Sequence, residues 1–341
     1  MKAYLQKLLQ NQSLTEEEMI IAARKLFSDT ISDSEIASFI TALKMKGETV
    51  DEMVGIVKAV REQTLPFQNS MPGCIDNCGT GGDGSQSFNV SSTSAFVMAG
   101  AGIPVAKHGN RSISSKTGSA DVLETLGIKL NITPEQNEEQ LESVGITFLF
   151  AQHVQPKMGR ITKVRRELGI PTIFNLIGPL TNPINLDSQV LGIYRKDFTE
   201  PFAEVLKKLG RKRAVVLNGA GSMDEASLQG ENELVILENG SIRKVMLHPF
   251  DVNLPVYSNE EIRGGDAKEN AEILLNVLKG EKGAYRDTVL LNAGIGIYAA
   301  GRAETIAEGV QLAAESIDTG AAYRKLQQLV EKSGKLQKAG I

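Results

Sequence analysis

Apolar residues recur at helical spacing through the first 65 positions of the chain, and then the rhythm changes. Ile36, Phe39, Ile40 and Leu43 form one stripe, and Met53, Val54, Val57 and Val60 another. Three capping boxes punctuate this region: Thr15 with Glu18, Ser32 with Glu35, and Thr49 with Glu52. In such a box the hydroxyl accepts a free amide of the first turn, and the glutamate three residues on returns the bond. Gly47 supplies a stop behind the second box. Residues 65–73 are rich in breakers and read as a linker, which ends a small helical domain over residues 1–70.

From residue 74 the pattern predicts short strands at 74–78, 103–107, 147–151, 189–194 and 213–218. Helices are expected between and after them, at 92–100, 120–126, 135–144, 200–209 and 268–278, the third capped by Thr133 with Pro134 at its first position. Alternation of this kind implies crossover units and a mostly parallel sheet. Two strand-like runs within 234–247 flank Glu238-Asn239-Gly240, a hairpin signal. Residues 284–333 read as mainly helical, and no internal repeat stands out. The fold class expected is α/β: a small N-terminal helical domain plus a larger domain, residues 71–341, with a mostly parallel central sheet flanked by helices.

Composition narrows the function. At 341 residues, 41% hydrophobic and 23% charged, the chain can bury a sizeable core without disulfide or metal staples. A net charge of −4 denies it the broad basic face that binds nucleic acid or anionic membrane, so any phosphate site must be a local pocket. The opening residues Met1 to Gln6 lack the apolar stretch of a signal peptide, and the cytoplasm is the expected location. Cys74 and Cys78, spaced for neither a zinc site nor a redox pair, read as packed thiols on a short strand.

The chemistry concentrates in two segments. Cys78-Gly79-Thr80-Gly81-Gly82-Asp83-Gly84 follows an expected strand and precedes a helix. Its glycines allow backbone amides to approach an anion without Cβ interference, and Ser87, Asn89, Ser91 and Ser92 add side-chain donors at the helix start. Gly79, Gly81 and Gly84 also satisfy the dinucleotide fingerprint G-x-G-x-x-G. That fold, however, wants an acidic residue at the end of the second strand, where this chain places Lys107. The second segment, Lys107-His108-Gly109-Asn110-Arg111 through Ser115 to Ser119, gathers two cations, an imidazole, an amide and several hydroxyls on what reads as one loop at a strand end.

Together these segments resemble the anthranilate phosphoribosyltransferase family. The matching runs are Gly79 to Gly84, Phe88 to Ser91, Lys107 to Arg111, and Ser114-Ser115 through Gly118 to Asp121. Val164 to Gly169, Phe174 to Pro183 and Asp224-Glu225 extend the match along almost the whole chain. The resemblance implies a fold of the nucleoside phosphorylase and phosphoribosyltransferase type, with a helical segment near 165–185 joining the N-terminal domain. It implies transfer of the phosphoribosyl group of phosphoribosyl pyrophosphate to the amine of anthranilate, a step of tryptophan biosynthesis. Residue by residue, it places Gly79, Gly82, Asp83, Ser87, Asn89, Ser91, Ser92, Lys107, Ser115 and Ser119 around the pyrophosphate and ribose; Ser87 and Ser92 stand where the family commonly has threonine. It gives Asp224, Glu225 and Ser91 to Mg²⁺, a hard cation that shares its shell with substrate phosphates. Arg165 would meet the anthranilate carboxylate through a charge-assisted pair, with His108, Asn110 and the backbone of Gly79 lining the same pocket. A homodimer through the helical domain is implied as well.

One stretch departs from the family. Where it shows an aromatic residue or histidine followed by His-Pro, this chain reads Gln152-His153-Val154-Gln155-Pro156, so that Val154 and Gln155 take positions expected to carry rings near the acceptor. The nearest enzymatic rival is a pyrimidine nucleoside phosphorylase, which would use inorganic phosphate and no Mg²⁺. A non-catalytic nucleic-acid-binding relative is the other alternative, and the net charge opposes it.

Overall fold

A computed structural model describes residues 1–68, 71–111 and 117–338. Four helices open the chain, Lys2–Leu9, Glu16–Leu26, Asp33–Lys46 and Val50–Arg61, and the three expected capping boxes are all closed. The third does more than cap. Glu52 is fully buried, accepting Leu14 N–H at 2.9 Å and Thr49 N–H at 2.9 Å while pairing with Lys46 at 2.8 Å, so one carboxylate ties three segments together.

Seven strands follow: β1 (Ile75–Gly79), β2 (Val105–Gly109), β3 (Ile146–Phe150), β4 (Ser188–Gly192), β5 (Arg213–Asn218), β6 (Asn232–Glu238) and β7 (Ser241–Leu247). They form one sheet in the order β3-β2-β1-β4-β5-β6-β7, parallel from β3 to β5 and antiparallel from β5 to β7. The hairpin turns at Asn239 and Gly240, both at positive φ (51° and 74°), as a tight two-residue connection requires. The expected strands are present with ends displaced by up to two residues. The displacement matters at β2: Pro104, which has no N–H to donate, delays the ladder to Val105, and the strand runs on through His108 and Gly109.

Strict alternation sends side chains to opposite faces of the sheet. Val215 and Leu217 of β5, with Leu234 and Ile236 of β6, pack beneath the helices of the C-terminal half. Their neighbours Ala214, Val216, Val235 and Leu237 join Met19, Phe39, Ile40 and Val57 of the N-terminal helices on the other face. Ile161, Val164, Ile173 and Leu180, from the stretch that returns toward β4, complete that second core. The N-terminal helices therefore have no closed core of their own. Among the described residues no helix is long and apolar enough to cross a membrane.

Topology fixes where a ligand can go. From β1 the chain winds outward through β2 and β3, then jumps back to lay β4 against the other side of β1, with Gly79 paired to Gly192 at the carboxyl ends. In open α/β sheets such a reversal leaves a crevice above the strand ends, which is where ligands bind.

Candidate active site

The glycine turn springs from that crevice. Gly81, Gly82 and Gly84 hold φ values of 68°, 80° and 74°, a left-handed path that side chains with a Cβ resist. Thr80 N–H reaches across to Gly192 O at 2.9 Å, tying the turn to β4. Asp224 and Glu225, which follow β5, come up against it. Gly81 N–H donates to Asp224 Oδ2 at 2.6 Å, and Ser91 N–H, at the start of the Val90–Gly100 helix, donates to Glu225 Oε1 at 3.2 Å. Asp83 lies against Asp224, and its Oδ1 accepts Ser85 N–H at 3.1 Å. Neither Gly79 nor Gly192 has room for a Cβ, which would strike Asp224 in both cases.

Three carboxylates thus share a small volume. Burial pushes Asp224 well above its ordinary range, and the charges of Asp83 and Glu225 push it further. Glu225 is raised to about 7, again chiefly by burial, with the Lys107 ammonium working in the opposite direction. Lys107 is 2% exposed and donates one N–H to Asn77 O at 2.8 Å, which leaves two of its three donors. Asn77 in turn donates to Ser91 O at 2.8 Å. A small recess at the carboxyl ends of β1 and β4 is lined among others by Asn77, Gly79, Gly192 and Glu225. Among the described residues no group of three or more His, Cys, Asp or Glu is placed to hold a metal ion by itself. Hard oxygens with unneutralised charge and an open side nevertheless suit a divalent cation that completes its shell with ligand oxygens and water.

His108 is 3% exposed; burial pushes its imidazole down to about 4, against a hydrogen bond to the Gly178 backbone, and its Nε2 is buried without a partner. Arg165 lies on the Gly159–Leu168 helix with its guanidinium 5.8 Å from the Phe174 ring centroid and no acidic partner among the described residues. Asn110 Oδ1 accepts Gln152 Nε2–H at 3.1 Å, while Ser119 Oγ donates to Asn110 O at 3.2 Å. The result is a buried cluster of carboxylates with one lysine, together with a buried imidazole and a half-buried guanidinium that has no acidic partner among the described residues.

Two family models cover the chain, a glycosyl transferase helical bundle domain over residues 2–64 and a glycosyl transferase a/b domain over residues 71–323. The Bacillus mycoides anthranilate phosphoribosyltransferase is 58% identical over 98% of both chains. The chain belongs to the anthranilate phosphoribosyltransferase family. The crystal structure of the Thermus thermophilus enzyme superposes with a TM-score of 0.92 at 40% identity, covering 97% of this chain and 99% of that one. The Saccharomyces cerevisiae enzyme in complex with PRPP and Mg does so at 0.89 and 26%, covering 98% and 97%.

Within this family member some expected site residues sit differently from the sequence reading. His108 is not on a loop; like Lys107, expected at the strand's end, it is a ladder residue of β2, and that is why both are buried. Arg111, the loop's other cation, turns away to Asp121 and Glu124, the latter bound through both carboxylate oxygens at 2.8 and 2.9 Å. Ser92 is 1% exposed with its hydroxyl unpaired in the interior, whereas Ser87, Asn89 and Ser91 remain accessible at the turn. Ser115 lies outside the described residues. Val154 and Gln155 do not form an open pocket wall: Val154 packs with Cys74, Leu149 and Ile184, and Gln155 donates to the backbone and hydroxyl of Thr181 at 3.1 and 2.9 Å. Sequence reasoning missed Asn77 and Gly192. The only signal for Asn77 is a polar residue inside a strand whose neighbours are buried, and Gly192 has none until β4 is known to lie beside β1.

Proposed function

We propose that this chain transfers the phosphoribosyl group of phosphoribosyl pyrophosphate to the amine of anthranilate, releasing pyrophosphate. The observation that carries the reading is the convergence of Asp83, Asp224 and Glu225 on a glycine turn whose other wall holds the buried Lys107. In this reading the turn and the spare donors of Lys107 bind the pyrophosphate, with Asn89, Ser87 and Ser91 on the phosphoribosyl group. Asp224, Glu225 and the Ser91 hydroxyl would hold Mg²⁺, which when bound offsets charge on the phosphates and on the leaving pyrophosphate. The ribose C1–oxygen bond breaks with its electron pair going to pyrophosphate, and the amine lone pair of anthranilate forms the new C1–nitrogen bond as the amine releases a proton. An arylamine has a free lone pair at neutral pH, so no strong base is required and orientation dominates.

On the acceptor side, Arg165 would pair with the anthranilate carboxylate, and His108, held neutral, would line the pocket without adding a competing charge. Two copies would associate through the N-terminal helices, whose Leu9 and Met45 are 71% and 84% exposed. A cytoplasmic setting goes with this reading.

The test follows anthranilate fluorescence in the presence of phosphoribosyl pyrophosphate and Mg²⁺. Consumption is expected, with inorganic phosphate unable to replace the acceptor reaction. A folded sample that consumes no anthranilate would overturn the assignment. In the same assay Arg165→Ala should raise the anthranilate KM by roughly a hundredfold, the worth of one charge-assisted pair.

A further inference from the structure

Beside the turn runs a segment that none of the roles above uses. Residues 262–265 lie antiparallel to residues 86–88: Phe88 N–H donates to Ile262 O at 3.0 Å, Gly264 N–H donates to Gln86 O at 2.9 Å, and Ser87 bridges to Arg263. The approach is close, since a Cβ on Gly264 would fall 2.8 Å from Phe88 Cα. Tyr285 locks the strap from behind, donating to Arg263 O at 2.8 Å and meeting the Phe88 ring edge-on at 5.0 Å.

At the end of the strap sits Asn270, 3% exposed. Its Oδ1 accepts Gly265 N–H at 2.8 Å, and its Nδ2 lies 3.0 Å from Asn89 Oδ1. These two contacts leave no freedom. A backbone N–H can only donate, so the oxygen of Asn270 must face Gly265 and its NH₂ must face Asn89. Asn89 is then obliged to turn its own oxygen toward Asn270 and its NH₂ the other way. Asn89 is the N-cap of the Val90–Gly100 helix, where an asparagine ordinarily uses that oxygen to accept a first-turn amide; here it makes no such bond. Its NH₂ makes no hydrogen bond to any described residue.

We propose that Asn270 is a positioning residue that sets the polarity of the Asn89 amide, so that Asn89 presents only hydrogen-bond donors to the bound phosphoribosyl pyrophosphate. Phosphate oxygens can only accept, and an amide free to turn over would offer them its oxygen part of the time. The inference rests on the placement of Asn89 at the phosphoribosyl pyrophosphate site proposed above.

Calorimetric titration of phosphoribosyl pyrophosphate with Mg²⁺ into wild type, Asn89→Ala, Asn270→Ala, Asn270→Asp and the double alanine variant tests it. Each alanine variant should bind about tenfold more weakly, the scale of one hydrogen bond to a charged group. The double variant should bind no more weakly than Asn89→Ala, because Asn270 acts through Asn89. Asn270→Asp keeps the acceptor for Gly265 but offers Asn89 an acceptor too, which turns the Asn89 oxygen toward the phosphate; its loss should equal or exceed that of Asn270→Ala. The anthranilate KM at saturating phosphoribosyl pyrophosphate should stay at the wild-type value in the Asn270 variants. Additive losses in the double variant, or wild-type affinity in Asn270→Asp, would reject the proposal while leaving the site intact. Wild-type affinity in Asn89→Ala would instead remove Asn89 from the site, and the proposal with it. If Asn270→Ala does not fold, the isosteric Asn270→Asp decides alone.

Discussion

At the scale of single residues, the site is built against stability. Asp224 keeps a carboxylate in a buried space beside Asp83 and Glu225, where burial and the neighbouring charges raise its pKa. Asp224→Asn retains an acceptor for Gly81 N–H while removing one of three like charges. Without Mg²⁺ the variant should be more stable by about 1 kcal/mol, while turnover with Mg²⁺ should fall about a hundredfold. Thermal melts in chelator alongside steady-state rates check both; a variant that is destabilised in chelator would refute the account of strain. His108 shows the same logic in a titrating group. Its folded pKa of about 4 lies below its ordinary 6.5, so the unfolded chain binds a proton that the fold refuses, and stability is lost as pH falls from about 6.5 toward 4. Asp76 acts oppositely. Burial raises it to about 6 from 3.8, so its burden on the fold appears as pH rises through that window. His108→Asn should therefore lose less stability than wild type between pH 7 and pH 5 in chemical denaturation, even if it starts lower. Equal losses would sink the assignment of acid sensitivity to this imidazole.

At the scale of elements, strand ends are the working parts. β1 and β4 finish on facing glycines because the backbone and carboxylate of Asp224 occupy the space where their Cβ atoms would be. Gly192→Ala should push Asp224 away from the turn. Activity should drop by about two orders of magnitude, as expected when a charged group near the reacting centre is displaced by roughly an ångström, with secondary structure by circular dichroism retained. A variant with wild-type kcat/KM would show that Asp224 need not hold this position. Most elements were legible beforehand because their signals are local: capping boxes, stripes of period 3.6, and the Asn239-Gly240 turn. The exception at β2 is instructive. His108 reads as a loop residue and Lys107 as the strand's last, because a lysine and a histidine inside a strand contradict binary patterning. Only pairing with β3, and partners such as Asn77 O, makes their burial affordable.

At the scale of the whole molecule, the N-terminal helices and the sheet share one core. Phe39 and Val57 belong to the same cluster as Phe202, Val216 and Val235, so neither part can expose its apolar face without exposing the other's. Calorimetry should record one cooperative transition for the full chain, and two well-separated transitions would show that the helices close a core alone.

The sequence by itself determined which segments become helices and strands, that the sheet would be mostly parallel, and that a glycine turn would stand between the first strand and the helix after it. Hydrophobic period, capping residues and glycine's conformational range act within a few positions of the chain, and so they can be read along it. The tertiary structure alone decided which long-range partners meet. Asp224 reaches Gly81 across 143 residues, Asn270 reaches Asn89 across 181, and Gly192 has to be small because of what β5 delivers above it. Those contacts depend on strand order and on the reversal between β1 and β4, and no local pattern encodes the distance between residues that only the completed sheet brings together.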